Sequence, residues 1–160
     1  SDLGDSAGGG LALITLQELR DADLPLPAGG ISISPLADLT HTVESRFTND
    51  GIDPLVTMDL IQMIGAAYCG PLDPKLPRIS PLYGDWRGLP PLLVQASEVE
   101  MLVDDSRRFV NRAQAAGSPV RLQTWNHMVH VWHIFDPDLT EARQGFDEIA
   151  KCLASHAPRD

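Results

Sequence analysis

Apolar side chains recur along this sequence with two different periods, and their alternation outlines a fold. Leu11, Leu13, Ile14, Leu16 and Leu19 recur at helical spacing in a proline-free stretch, which predicts a helix from Ala7 to Arg20. Pro25 and Pro27 break that pattern and Gly29-Gly30 follow. Ile31-Ser32-Ile33-Ser34 then alternates as a short strand does, and Pro35 ends it. Residues 36–56 show no periodicity and read as an ordered loop. Thr57 suits the N-cap of a helix running from Met58 to about Tyr68, which Gly70-Pro71 stops. Residues 71–90 are rich in proline, glycine and aromatics and read as a long surface connection. Leu92-Leu93-Val94-Gln95-Ala96 is an apolar run of the buried-strand type. A helix is expected from about Val103 to Ala116, closed by Gly117. Val120 to Trp125 alternates as another strand, and a last amphipathic helix runs from about Thr140 to Leu153.

Helix and strand thus alternate from end to end, the signature of a parallel α/β sheet flanked by helices. Three strands are counted, a small sheet. With 160 residues and no repeat, low-complexity tract or linker, one domain over 1–160 is expected.

Composition narrows the partners. Twelve Lys and Arg against 22 Asp and Glu give a net charge of −10, which argues against nucleic acid and against an anionic membrane surface. No run of about 18 apolar residues exists, so no membrane-spanning helix is expected, and no signal peptide is visible at the first residues. Cys69 and Cys152 lie far apart outside any Cys-x-x-Cys pattern, and read as free buried thiols in a reducing, cytoplasmic compartment.

The candidate chemistry begins at Gly4-Asp5-Ser6-Ala7-Gly8. A Gly-x-Ser-x-Gly turn carries its serine on a strained corner between strand and helix. The flanking glycines avoid clashes, and the next N–H, that of Ala7, becomes an oxyanion donor at a helix N-terminus. The five-residue pattern alone arises by chance in about one chain in twenty of this length; Gly9, Gly10 and an immediate helix strengthen it. A serine nucleophile needs a base. Among His41, His127, His130, His133 and His156, the cluster of His127, His130 and His133 follows the strand ending at Trp125, and loops beyond strand carboxyl ends gather functional groups in open α/β sheets. Spacing does not choose among the three. The acid should follow the preceding strand, where Glu98, Glu100, Asp104 and Asp105 lie. Asp104 and Asp105 open a helix and suit its dipole, which leaves the loop residues Glu98 and Glu100 better placed.

These residues resemble a known family, the bacterial hormone-sensitive lipase-like esterases of the α/β-hydrolase fold. The resemblance rests on Gly4-Asp5-Ser6-Ala7-Gly8-Gly9, Ser34-Pro35-Leu36-Ala37-Asp38-Leu39-Thr40 and Ile79-Ser80-Pro81-Leu82-Tyr83. It continues through Leu89-Pro90-Pro91-Leu92-Leu93-Val94-Gln95, Leu102-Val103-Asp104-Asp105-Ser106 and His130-Val131-Trp132-His133. It implies His130 as the base and Glu100, two residues before Leu102, as the acid. Ser97 stands where relatives usually have glycine, and Glu98 remains the alternative acid. The resemblance further implies carboxylesterase chemistry on short to medium acyl esters, through an acyl-enzyme and without metal or organic cofactor.

In that family the elbow lies near the middle of a chain about twice as long, so the sequence reads as the C-terminal portion of the fold, without its N-terminal strands, its His-Gly-Gly-Gly loop and its cap. Three arrangements follow: a portion completed by a separate N-terminal segment, a stand-alone hydrolase that pairs its sheet edge in a homodimer or higher assembly, or an inactive, receptor-like binding relative. Receptors on this fold lack the catalytic histidine, whereas His130 is present here.

Overall fold

The computed structural model describes residues 1–156. Four parallel strands lie side by side in chain order: β1 Asp2–Asp5, β2 Gly30–Ile33, β3 Leu92–Ser97 and β4 Val120–Trp125. Helices α1 (Ser6–Asp21), α2 (Ser45–Thr48), α3 (Met58–Cys69), α4 (Val103–Ala115) and α5 (Thr140–His156) connect or follow them, with short 3₁₀ turns at Pro81–Tyr83 and Trp132–Ile134.

One strand goes beyond the three expected. Asp2–Asp5 pairs with Gly30–Ile33 although aspartate is a poor strand residue. Ladder bonds to β2 outweigh that preference at a sheet edge, where alternate residues of β1 face solvent. By contrast β2 and β3 are buried throughout, as their apolar content requires.

The sheet carries helices on both faces. Leu13 and Leu16 of α1 and Phe109, Val110 and Ala113 of α4 pack with Leu92 and Val94 in one core cluster. Ile149 and Cys152 of α5 cover Ile31, Ile33 and Leu93 on the other face. Thr57 caps α3 as expected, its side chain accepting from Leu60 N–H at 3.2 Å, and Gly117 takes the left-handed conformation after α4 (φ +84°). Cys69 and Cys152 are free and buried.

Two loops differ from expectation. Residues 71–90 are not merely a surface connection: Leu82, Trp86 and Leu89 enter the main core cluster, and Trp86 meets Phe109 edge-on with ring centroids 4.4 Å apart. Proline and glycine mark turns, and turns by themselves do not reveal which way the intervening aromatics face. Residues 36–56 contain α2 and, within it, the fully buried Arg46. Its guanidinium Nη2 donates to Asp105 Oδ2 at 2.8 Å and to the Asp38 carbonyl at 2.9 Å. The same Asp105 oxygen accepts from the N–H groups of Ala37 and Asp38 at 2.9 and 3.0 Å, anchoring the loop after β2 to α4.

His133 ties α5 to the sheet. It is buried between the ring of Trp132 and the edge of Phe146, and its Nε2 lies 3.0 Å from Gln95 Oε1. Burial pushes its pKa down to about 4 from the ordinary 6.5. Between those values the unfolded chain binds a proton that the folded chain refuses, so this contribution to stability is complete above pH 6.5 and is lost as pH falls toward 4. Asp105, raised by burial from 3.8 to about 6, acts in the opposite sense. The two separate in a variant: the urea midpoint should fall more steeply between pH 7 and pH 5 in the parent than in His133→Gln, and parallel curves would rule this account out.

Candidate active site

β1 passes directly into α1 at Ser6, whose φ is +50°. A residue with a Cβ is strained there, by about 1–3 kcal/mol, and the conformation persists only where the surroundings enforce it. Here the β1 ladder and a bond from Leu36 N–H to the Ser6 carbonyl (3.0 Å) do so. Gly4 has no room for a side chain, since a Cβ would stand 2.2 Å from the Gly8 carbonyl oxygen. Gly8 differs from expectation: a Cβ there would meet nothing within 4 Å, so packing among the described residues requires only the first of the two flanking glycines. Ala7 is the second residue of α1, so its N–H belongs to the helix's opening set without an intrahelical acceptor.

Of the three clustered histidines, one reaches the serine: His130 Nε2 lies 2.9 Å from Ser6 Oγ. His127 is exposed, at φ +61°, and His133 is committed to Gln95. His41 is half-buried in the loop after β2. His156 ends α5, with Nδ1 2.7 Å from the Cys152 carbonyl.

The four candidate acids separate as cleanly. Glu100 is fully buried, with Oε2 3.4 Å from His130 Nδ1. That spacing lets the pair attract without closing a full hydrogen bond, as is common in such sites before a ligand binds. Burial raises the Glu100 pKa, and His130 and Ser34 pull it back. Glu98 points away, paired with Arg107. Asp104 accepts from Ser45 N–H at 2.9 Å, and Asp105 holds Arg46. Both stand in the first turn of α4, as expected, and anchor the preceding loops as well.

Several contacts around the pair were not legible from motif spacing. Ser34 Oγ donates to Glu100 Oε2 at 2.7 Å. Ser97 donates to the Met128 carbonyl at 2.5 Å and so ties the loop after β3 to the loop that carries His130. Asn49 Nδ2 donates to the Glu100 carbonyl at 2.9 Å, and Asp53 Oδ2 accepts from Met101 N–H at 2.9 Å. Ser34 lies in a quoted motif and Ser97 stands out in the sequence, but no sequence signal gave any of the four residues a contact at this site. An apolar cleft of about 90 Å³ opens beside Ala7, lined by Leu11, Ile14, Leu36, Leu39 and Ile64 among others. A larger cleft of about 520 Å³, bounded by Pro91, Pro119, Arg121 and Lys151, lies at the opposite ends of the strands and touches none of these groups. No cluster of three or more His, Cys, Asp or Glu side chains among the described residues could hold a metal ion.

Residues 3–134 match the sequence model of a family described as having the alpha/beta hydrolase fold. The chain belongs to that α/β-hydrolase family. The match agrees with the parallel sheet flanked by helices. Among curated α/β-hydrolase relatives, an acetyl-hydrolase of Streptomyces hygroscopicus is 43% identical over 90% of this chain and 48% of its own length. An esterase of Acinetobacter venetianus is 37% identical over 95% of this chain and 50% of its own. A crystal structure of an esterase from the bacterial hormone-sensitive lipase family superposes with a TM-score of 0.93 at 45% identity, covering 96% of this chain and 52% of that one. The motif resemblance to hormone-sensitive lipase-like esterases is thereby borne out. The chain spans about half the length of the curated relatives it matches.

Glycines on α1 offer a test of how closely the elbow is packed. A Cβ on Gly10 would stand 2.2 Å from the Leu36 carbonyl oxygen. Gly10→Ala should therefore lower stability by about 1–3 kcal/mol. Gly8→Ala should be neutral or gain up to about 1 kcal/mol from helix propensity. Urea midpoints of the two variants report the difference, and equal effects would refute the packing account.

Proposed function

We propose that these residues carry the catalytic centre of a serine carboxylic ester hydrolase, with Ser6 as nucleophile, His130 as general base, Glu100 as the orienting acid and the Ala7 N–H as an oxyanion donor. The observation that carries this reading is the 2.9 Å approach of His130 Nε2 to Ser6 Oγ, with the buried Glu100 carboxylate behind the imidazole. His130 Nε2 takes the hydroxyl proton as Ser6 Oγ bonds to the ester carbonyl carbon. The Ala7 N–H stabilises the oxyanion of the tetrahedral intermediate. As that intermediate collapses, the C–O bond to the leaving alcohol breaks, and the alcohol departs with the proton from His130, leaving an acyl-Ser6. Water then bonds to the acyl carbon as His130 takes its proton, and the bond to Ser6 Oγ breaks as His130 returns that proton to Oγ, releasing the carboxylic acid. Glu100 holds the imidazole tautomer and balances the imidazolium charge.

The substrate class is a small-molecule ester of short to medium acyl length, for which the apolar cleft beside Ala7 offers a wall. The names of the relatives, acetyl-hydrolase and esterase, point the same way. The free, buried Cys69 and Cys152 support a reducing compartment such as the cytoplasm. Beyond β2, β1 has no strand neighbour among the described residues, and Leu3 on it is 55% exposed. The reading therefore includes completion of the sheet at β1 by a further segment of the same enzyme or by a second copy.

A fluorophosphonate probe tests the chemistry. It should label the parent at Ser6 and leave Ser6→Ala unlabelled, and Glu100→Gln should label about 10³–10⁴-fold more slowly. Equal labelling of Ser6→Ala would remove Ser6 from the role. Sheet completion is tested on purified material by intact mass and sedimentation. A second polypeptide or a dimer is expected, and a single monomeric species of 17.4 kDa that hydrolyses p-nitrophenyl butyrate would exclude it.

A further inference from the structure

The reaction above uses one side chain from the end of β1, one after β3 and one after β4. The end of β2 also supplies one. Asp5 and Ile33 are register partners, so Ser6 and Ser34 stand at equivalent positions just beyond adjacent strands. They share the same strain, with φ of +50° and +48°. Ser34 is fully buried, and a buried hydroxyl needs partners inside the protein. It donates to Glu100 Oε2 at 2.7 Å, the oxygen that faces His130 Nδ1. It accepts from the Val131 N–H at 3.4 Å. Val131 follows His130 directly and has φ +50°, a costly conformation for a β-branched residue.

One hydroxyl thus joins the acid to the backbone beside the base. Its own backbone is fixed to the sheet, since Ser34 N–H donates to the Gln95 carbonyl at 2.7 Å. The other Glu100 oxygen, Oε1, is buried with no hydrogen-bond partner among the described residues. No competing bond to Oε1 holds the carboxylate in a different rotation, and a hydroxyl bonded to a charged carboxylate is among the stronger hydrogen bonds available.

We propose that Ser34 is a positioning residue of this site: its hydroxyl turns Glu100 Oε2 toward His130 Nδ1 and holds Val131, keeping the imidazole aligned with Ser6. This rests on the esterase reading given above. Ser34 touches neither substrate nor the reacting atoms and acts only through Glu100 and Val131.

The test compares Ser34→Ala and Ser34→Gly in the full chain. The glycine variant removes the hydroxyl and also relaxes the positive φ, which separates the hydrogen bond from backbone strain. The rate of fluorophosphonate labelling at Ser6 is measured from pH 5 to pH 9 against a Ser6→Ala background, with the folded fraction taken from thermal melts. Both variants should label at least tenfold more slowly at the plateau, and the pH of half-maximal labelling should move by half a unit or more. A lowered melting temperature with an unchanged rate and pH profile per folded molecule overturns the proposal, because a purely structural residue behaves that way. Failure of both variants to fold overturns it as well, since the hydroxyl would then be holding the fold and not the acid. If the parent does not label above background, the esterase reading falls and takes this role with it. If the parent labels and the variants match it, only the role of Ser34 falls.

Discussion

Parallel pairing of the four strands in chain order is the constraint on which the site depends. Every strand runs the same way, so the chain leaves each of them at the same edge of the sheet. Residues 124 positions apart, Ser6 and His130, can then meet at 2.9 Å. The register brings Asp5, Ile33, Gln95 and Gln123 into one row across the sheet. The groups of interest all lie just beyond that row.

The exits from these strands are strained, and the strain has a visible source of support. Ser6, Ser34 and Val131 all adopt positive φ without being glycine. Each has a backbone group bonded to a neighbouring element: the Ser6 carbonyl to Leu36, the Ser34 N–H to Gln95, and the Val131 N–H to the Ser34 hydroxyl. Regular strand or helix backbone at these positions would aim the hydroxyls elsewhere.

Two buried carboxylates near the site show how environment assigns different work to the same group. Asp105 meets a guanidinium and two backbone N–H groups and fastens a loop. Glu100 meets a hydroxyl and an imidazole and keeps one oxygen unpaired. Burial raises the pKa of both. Asp105 faces the permanent charge of Arg46, whereas Glu100 faces the imidazole of His130.

Local sequence determined a good deal here. Periodicity located α1, α3, α4, α5, β2, β3 and β4, because each buries one stripe or a continuous run of apolar side chains. The Gly4 to Gly8 motif identified the elbow, because the turn at Ser6 leaves no room for a side chain at Gly4, even though a Cβ at Gly8 would meet nothing within 4 Å. Other features were decided only by tertiary structure. β1 is held by ladder bonds to β2, which the side chains of Asp2 and Asp5 do not announce. The inward course of Leu82 and Trp86 depends on which surface the 71–90 loop meets. His130 could not be separated from His127 and His133, nor Glu100 from Glu98, by spacing; only the family resemblance named them in advance. What separates them physically is the path of two loops: His133 is drawn to Gln95 and Glu98 to Arg107, while His130 meets Ser6 and Glu100 stands behind His130. Ser34 was quoted within a motif without a role. Its place beside Glu100 exists only once β2 and β3 are paired, since a contact between residues 34 and 100 is a property of the sheet and of no local stretch of chain.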